Sequence, residues 1–368
     1  MKVIVVGGGI MGLCTAWALC RAGHEAVLYE QGAIPNPLAS SFDQHRLIRF
    51  TYGAMTGYAR MVHEAHAAWE RLWADLGQSH FHPTGTLIVA RDEDGWVGAS
   101  ERSLHTMGLP VEIWSPQVLA ARLPFLRFEG ARFALFTPTG GVLFAERILL
   151  SLGQWLREQG VQLHANTPVM DVDTDRAAVR TADGRTDRAD ALVVAAGPWS
   201  PRLLPALRGR ITPSRQVALY LQPPADLLAP WRAAPAVLDQ IEAAHGGCYA
   251  LPPVGGTRLK MGDHGFSLRG QPDLEREPTE AERAEALASV RARLVDFERY
   301  RAVEARTCFY SVAEGERFIV KPLGRAWVLA GFSGHGFKFG AVIGEAVAAA
   351  LTGERAAEAI TAWATGHA

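Results

Sequence analysis

Residues 3–20 carry no charge, a length and polarity that also suit a signal peptide or a short membrane span. Gly7, Gly8, Gly9 and Gly12 decide against both, because they weaken an apolar helix. Val3, Ile4, Val5 and Val6 instead form the β-branched run of a fully buried parallel strand. The pattern therefore predicts a strand over 2–6, a glycine turn over 7–12, a helix from Leu13 that Gly23 stops, and a second strand over 25–30.

Helical spacing returns at His66, Trp69, Leu72, Trp73 and Leu76, within a segment that starts at His63 and ends at Gly77. Residues 84–90 read as a strand and 95–107 as a short helix, followed by a hairpin-like element, 133–144, turning at Gly140-Gly141. Ile148, Leu149, Leu152, Trp155 and Leu156 mark an amphipathic helix that stops at Gly160. Strands follow at 161–166 and 168–175, then a hairpin over 177–188 turning at Asp183-Gly184. A buried strand, 190–197, runs into Gly197-Pro198-Trp199 and so ends on glycine as the first strand does. A ligand at the carboxyl ends of parallel strands would meet both.

Residues 210–264 are strand-rich, with candidates at 217–222, 248–253 and 257–264. Thr279 and Glu282 form a capping box that opens a helix continuing to about Phe297. Near the C-terminus a strand, a turn containing Gly331, Gly334, Gly336 and Gly340, and a helix repeat the N-terminal pattern.

Composition narrows the function classes. The 368 residues hold 37 Lys+Arg against 38 Asp+Glu with no long run of one sign, which argues against a nucleic-acid binder or a polybasic membrane anchor. Four cysteines, Cys14, Cys20, Cys248 and Cys308, give neither a disulfide framework nor a C-x-x-C pair. A reducing, cytoplasmic setting, no metal and a small-molecule partner are the expectations.

Gly7, Gly9 and Gly12 fit G-x-G-x-x-G, with Glu30 where a carboxylate accepts ribose hydroxyls. In its strand-turn-helix-strand setting this motif points to a dinucleotide, and by itself leaves FAD and NAD open.

The segments VIVVGGGIMG, RLIRFTYG, GVLFAERI, VVAAGPWS, LKMGDH, RTCFYSVAEGERFIV and GFSGHGFKF carry a fuller resemblance. In these the chain resembles the glycine oxidase/D-amino-acid oxidase superfamily of flavoproteins, and within it the monomeric sarcosine oxidase and N-methyltryptophan oxidase group. The resemblance implies an α/β (α+β overall) fold, with a Rossmann-like FAD-binding domain interleaved with a mixed-sheet substrate domain. It places the first at 1–80, 142–212 and 318–368, and the second at 81–141 and 213–317.

FAD would be bound by Gly7, Gly9, Ile10, Met11, Gly12, Glu30 and Ser41 at one end. Arg46, Val169, Gly197, Trp199, Gly331, Gly334, Gly336, Phe337 and Lys338 would complete its site. The resemblance also implies attachment of the flavin 8α-methyl carbon to Cys308, whereas the residue alone reads as a buried inert thiol.

Arg49 and Lys338 match two cations that hold a substrate carboxylate, against the simpler reading of surface ion pairs. Tyr249, Tyr310 and His264 match substrate-side residues, although a strand tyrosine is more often packing. Lys260 matches a lysine that reaches flavin N5 through water and promotes reaction with O2. The implied activity is oxidation of a secondary or N-methyl α-amino acid, cyclic ones such as proline or pipecolate included, with O2 reduced to H2O2 by a monomeric enzyme. A dehydrogenase passing electrons to a quinone or carrier protein, or a flavoprotein subunit without turnover, stays open.

Three departures stand out. SSFDQHR replaces a small-His-His-Gly-Asp-Thr-Arg pattern, Lys321 follows RFIV where relatives carry an acid, and Ala250-Leu251-Pro252 replaces a glycine-aromatic-proline turn. Selectivity is expected from the surroundings of Phe42, Tyr249 and Phe309.

Overall fold

The computed structural model describes residues 1–239, 247–263 and 265–367. Lys2–Val6, the β-branched run, is a central strand of a six-stranded sheet. Its neighbours are Glu25–Tyr29 and Ala191–Val194, both parallel to it. Gln162–His164 extends the sheet beyond Glu25–Tyr29, and Ala326–Ala330 beyond Ala191–Val194, again in parallel. Only Ile319–Leu323, at the edge, runs antiparallel. Parallel strands covered on both faces need apolar side chains throughout, and Val3, Ile4, Val5, Leu192, Val193 and Val194 are all buried.

The helix Ile10–Arg21 starts three residues earlier than the apolar run suggested, directly after Gly9. It packs closely on the helix Gly340–Leu351, the last but one in the chain. A Cβ on Gly344 would lie 2.5 Å from the Cys14 carbonyl oxygen, so the two backbones approach as only glycine allows. Helices from the N-terminal and C-terminal parts of the chain thereby pack together. Thr56–Leu76 packs on Gly340–Leu351 too; it starts before His63 because Tyr58, Met61 and Val62 extend the buried stripe back by two turns.

A larger, eight-stranded sheet lies beside the first. Its order is Arg301–Ala313, Ile211–Gln222, Leu259–Asp263, Cys248–Leu251, Ala236–Asp239, Thr86–Ala90, Phe133–Thr137 and Glu112–Trp114. The 12-residue Ile211–Gln222 pairs along the 13-residue Arg301–Ala313, forming the long ribbon that carries Cys308 and Tyr310. In chain order the first sheet takes its strands from 2–29, 162–194 and 319–330, and the larger one from 86–137 and 211–313.

The hairpin expected around Gly140-Gly141 does not form. Phe133–Thr137 pairs with Thr86–Ala90 in the large sheet, whereas Gly141–Leu143 joins Arg46–Ile48 and Phe81–His82 in a small sheet. The glycines serve close packing instead: a Cβ on Gly141 would lie 2.3 Å from the His82 carbonyl oxygen. The helix opened by the Thr279–Glu282 capping box ends at Arg291, short of Phe297. The hairpin Ala178–Thr181/Thr186–Arg188 forms as expected. No helix among the described residues is long and apolar enough to cross a membrane.

Candidate functional site

A cleft of about 1450 Å³ opens along the carboxyl ends of the parallel strands, lined there by Val6, Tyr29, Ala195 and Leu329. Gly7, Gly9, Ile10 and Met11 line it where the first helix begins. This turn has no room for side chains. A Cβ on Gly7, whose φ is +110°, would lie 2.4 Å from the Ala195 carbonyl oxygen. Gly12 sits behind the cleft rather than in it and brings the helix onto the strand. The helix N-terminus thus opens on the cleft, presenting amides and a positive dipole to an anion.

Glu30, 6% exposed, accepts from the Gly8 amide at 2.7 Å through one oxygen. Its other oxygen accepts from the Gly32 amide at 2.9 Å and the Asn36 side chain at 2.8 Å. Ser41 accepts from the Ile10 amide at 2.9 Å and ties the following loop to the turn. A cradle emptied by glycines, a helix N-terminus for a pyrophosphate and a fixed carboxylate for a ribose fit the adenine-dinucleotide end of FAD.

Farther along, Val169, Gly197, Trp199, Gly334, Gly336, Phe337, Arg46 and Tyr310 also line the cleft. Trp199 donates to Asp273 at 2.7 Å, which fixes its ring. Gly334 lies against the Tyr310 ring, an edge carbon of which is 2.5 Å from where a Cβ on Gly334 would be. Gly331, by contrast, packs against Ala313 and Ile319 and is not a lining residue.

Beyond Arg46 lies a second, smaller cavity of about 410 Å³, which Arg46, Tyr249, Lys260, Cys308 and Tyr310 share. Its centre is a buried acid that the sequence reading passed over. Asp43 pairs with Lys260 at 2.5 Å and with Arg46 at 2.7 Å, and accepts from the Tyr220 hydroxyl. Burial opposes ionisation of Asp43, yet Arg46 and then Lys260 hold its carboxyl well below the usual carboxylate range. The Lys260 ammonium also lies 5.5 Å from the centre of the Tyr249 ring.

Cys308 projects from the same face of its strand as Tyr310; its Sγ lies 3.8 Å from the Ser40 carbonyl oxygen and 3.9 Å from Arg46 Nη2. Phe309, between them, points the other way and is 2% exposed, so it does not border the cavity as expected. Phe42 does, with the Arg306 guanidinium 5.2 Å from its ring centre. His264 lies outside the described residues.

Arg49 and Lys338 form a separate buried cluster, reached through the turn Phe337–Phe339 that packs on Arg46–Ile48. Lys338 donates to the Tyr52 hydroxyl at 2.9 Å and to the His335 carbonyl at 2.8 Å. Arg49 donates to the Thr51 carbonyl and stacks 4.6 Å from the centre of the Tyr52 ring. Burial, and then Arg49, push the Lys338 ammonium well below its ordinary range. Neither cation makes an ion pair with a carboxylate among the described residues. Tyr52 and His335, joined at 3.2 Å, were not singled out from sequence, because nothing in their spacing distinguishes them from packing residues.

The family model described as "DAO: FAD dependent oxidoreductase" matches residues 2–350. Monomeric sarcosine oxidase from a Bacillus species is 28% identical over 95% of this chain and 92% of its own. N-methyl-L-tryptophan oxidase of Yersinia pestis is 29% identical over 94% of this chain and 93% of its own. L-proline dehydrogenase from P. horikoshii shares the fold at a TM-score of 0.84, with 20% identity, over 100% of this chain and 96% of that one. Glycine oxidase from Bacillus cereus does so at 0.81, with 17% identity, over 98% and 97%. With the match spanning nearly the whole chain and a cleft shaped for the cofactor, this protein is an enzyme and belongs to the DAO family of FAD-dependent oxidoreductases.

Proposed function

We propose that this enzyme oxidises a secondary or N-methyl α-amino acid, cyclic imino acids included, to its imine, with O2 as electron acceptor and H2O2 as product. The observation that carries the substrate class is the pair of buried cations, Arg49 and Lys338, with no described carboxylate in an ion pair with either. Two such cations side by side oppose each other, and an incoming carboxylate relieves that opposition while gaining charge-assisted hydrogen bonds. The relatives named for sarcosine and N-methyl-L-tryptophan support an N-methyl amine beside that carboxylate.

FAD, when bound, supplies the two-electron acceptor for the substrate α-hydrogen. The chain's own residues position the rest. Arg49 and Lys338 grip the carboxylate, Tyr249, Tyr310 and His264 orient the amine, and hydride loss requires no strong base. Lys260 presents positive charge where negative charge develops on O2. Cys308, at the wall shared with Arg46 and Tyr310, is the thiol that would hold the flavin as a thioether at the 8α carbon, the two electrons released in forming the C–S bond passing to the flavin ring. Water then hydrolyses the released imine.

A peroxide-coupled screen over N-methyl and cyclic amino acids tests the reading. The expected result is anaerobic bleaching of the flavin by such substrates and aerobic release of H2O2. Equal turnover of the matching amines without a carboxylate would overturn the assignment of Arg49 and Lys338. Bleaching without peroxide would replace O2 by a quinone or protein acceptor.

A further inference from the structure

Lys260 is 2% exposed, and a lysine so placed keeps its proton only if a partner holds it. Asp43, 217 residues away in sequence, is the acid in contact with it among the described residues. We propose that Asp43 is a positioning residue that keeps Lys260 as a fixed ammonium beside the flavin site and so sets the enzyme's reactivity toward O2. This rests on the reading of Lys260 given above.

The geometry leaves Asp43 no role as a base. One carboxylate oxygen receives Lys260 at 2.5 Å and Arg46 at 2.7 Å. The other receives the Tyr220 hydroxyl and, at 2.7 Å, the Gln44 amide. Its backbone carbonyl accepts from the Glu146 amide at 2.8 Å, which pins the loop. A carboxylate so occupied has no free lone pair with which to act as a base.

The groups facing Lys260 from other elements do not replace it. Arg46 opposes the ammonium, and His45 is buried and neutral, pushed down to about 4 by burial and then by Lys260 itself. Tyr249, Tyr220 and Tyr310 are phenols that burial pushes up and keeps neutral. Cys308 is also felt by Lys260, and Arg306 lines the cavity as a further cation. One carboxylate thus serves two contacting cations. Remove it, and of the two only the ammonium can relieve the repulsion by losing a proton, because a guanidinium does not.

The test uses oxidised holoenzyme and the variants Asp43→Asn, Lys260→Met and the double variant. From pH 6 to 9 the visible flavin spectrum of the wild type should stay flat. D43N should show a single one-proton transition, and D43N/K260M none. In stopped flow, reoxidation of reduced D43N by O2 should fall about tenfold on crossing that transition, a larger change than anaerobic reduction by substrate shows over the same pH range.

A flat D43N spectrum with a wild-type reoxidation profile overturns the proposal, as does a transition that persists in the double variant. K260M with normal reoxidation sinks the underlying reading of Lys260; slow K260M beside pH-flat D43N sinks only the role of Asp43. If D43N does not accumulate, Asp43→Glu retains the carboxylate and should match the wild type, and a Lys260-dependent transition in it would count against the idea.

Discussion

Gly12 lies so close to Gly7 that a Cβ on Gly12 would sit 1.9 Å from the Gly7 carbonyl oxygen. Adding one methyl must therefore push the first helix off its strand and move the amides at its N-terminus. Gly12→Ala is expected to cost about 1–3 kcal/mol of stability, the usual range for overpacking. Flavin content, read as the ratio of 450 to 280 nm absorbance, should fall with it. A fully loaded variant with an unchanged melting temperature would show that the close approach is dispensable.

Lys338 offers a prediction in which stability and activity move in opposite directions. Because burial and Arg49 both disfavour its charge, Lys338→Met removes an opposed cation and should leave the melting temperature equal or higher. The same change removes a partner for the substrate carboxylate, for which losses of about 2–5 kcal/mol are typical, or roughly 30- to 5,000-fold in kcat/KM. Most of that loss should fall on KM if the carboxylate is held equally in ground and transition states. A parallel drop in melting temperature and activity would make Lys338 a structural residue.

The glycine turn, Glu30 and the parallel strands were legible because each is a local pattern of spacing and residue type. The return of the chain at Ala326–Ala330 was legible for the same reason. Asp43 was not, since an acid in a polar run reads as solvated surface until Ile211–Gln222 and Leu259–Asp263 bring Tyr220 and Lys260 to it. The failed hairpin at Gly140-Gly141 has a related cause: glycines for close packing and glycines for turning look alike in sequence. Ala236–Asp239 went unread because its four residues give too short a run to show a period.

His66 predicts part of the acid sensitivity. It stacks on Phe50 at 5.2 Å, its Nε2 is buried with no hydrogen-bond partner among the described residues, and burial followed by His63 pushes it down to about 4. The folded state therefore binds this proton less readily than the unfolded chain, where the ordinary value is 6.5. Its contribution is complete above pH 6.5 and is lost as pH falls toward 4, reaching about 2–3 kcal/mol at the acid end. His66→Phe should flatten the fall in melting temperature between pH 7 and pH 4.5, with the residual slope carried in part by His45. Superimposable profiles for the two proteins would remove His66 from the account.

Of the four cysteines, Cys308 alone lines a described cavity at the flavin end. Burial pushes the Cys14 thiol well up and Cys248 up to about 12, which disfavours the thiolate that bond formation needs. Cys20 is raised as well, by partial burial and then by Asp75. At Cys308 the side chain opens on the cavity instead, with Arg46 Nη2 3.9 Å from its Sγ. Acid-precipitated wild-type protein should accordingly stay yellow, and its intact mass should exceed the chain by one FAD. Cys308→Ser should release all flavin to the supernatant, while Cys14→Ala, Cys20→Ser and Cys248→Ala keep the colour in the pellet. A colourless wild-type pellet would leave FAD bound only by the glycine turn, Glu30 and the residues along the cleft.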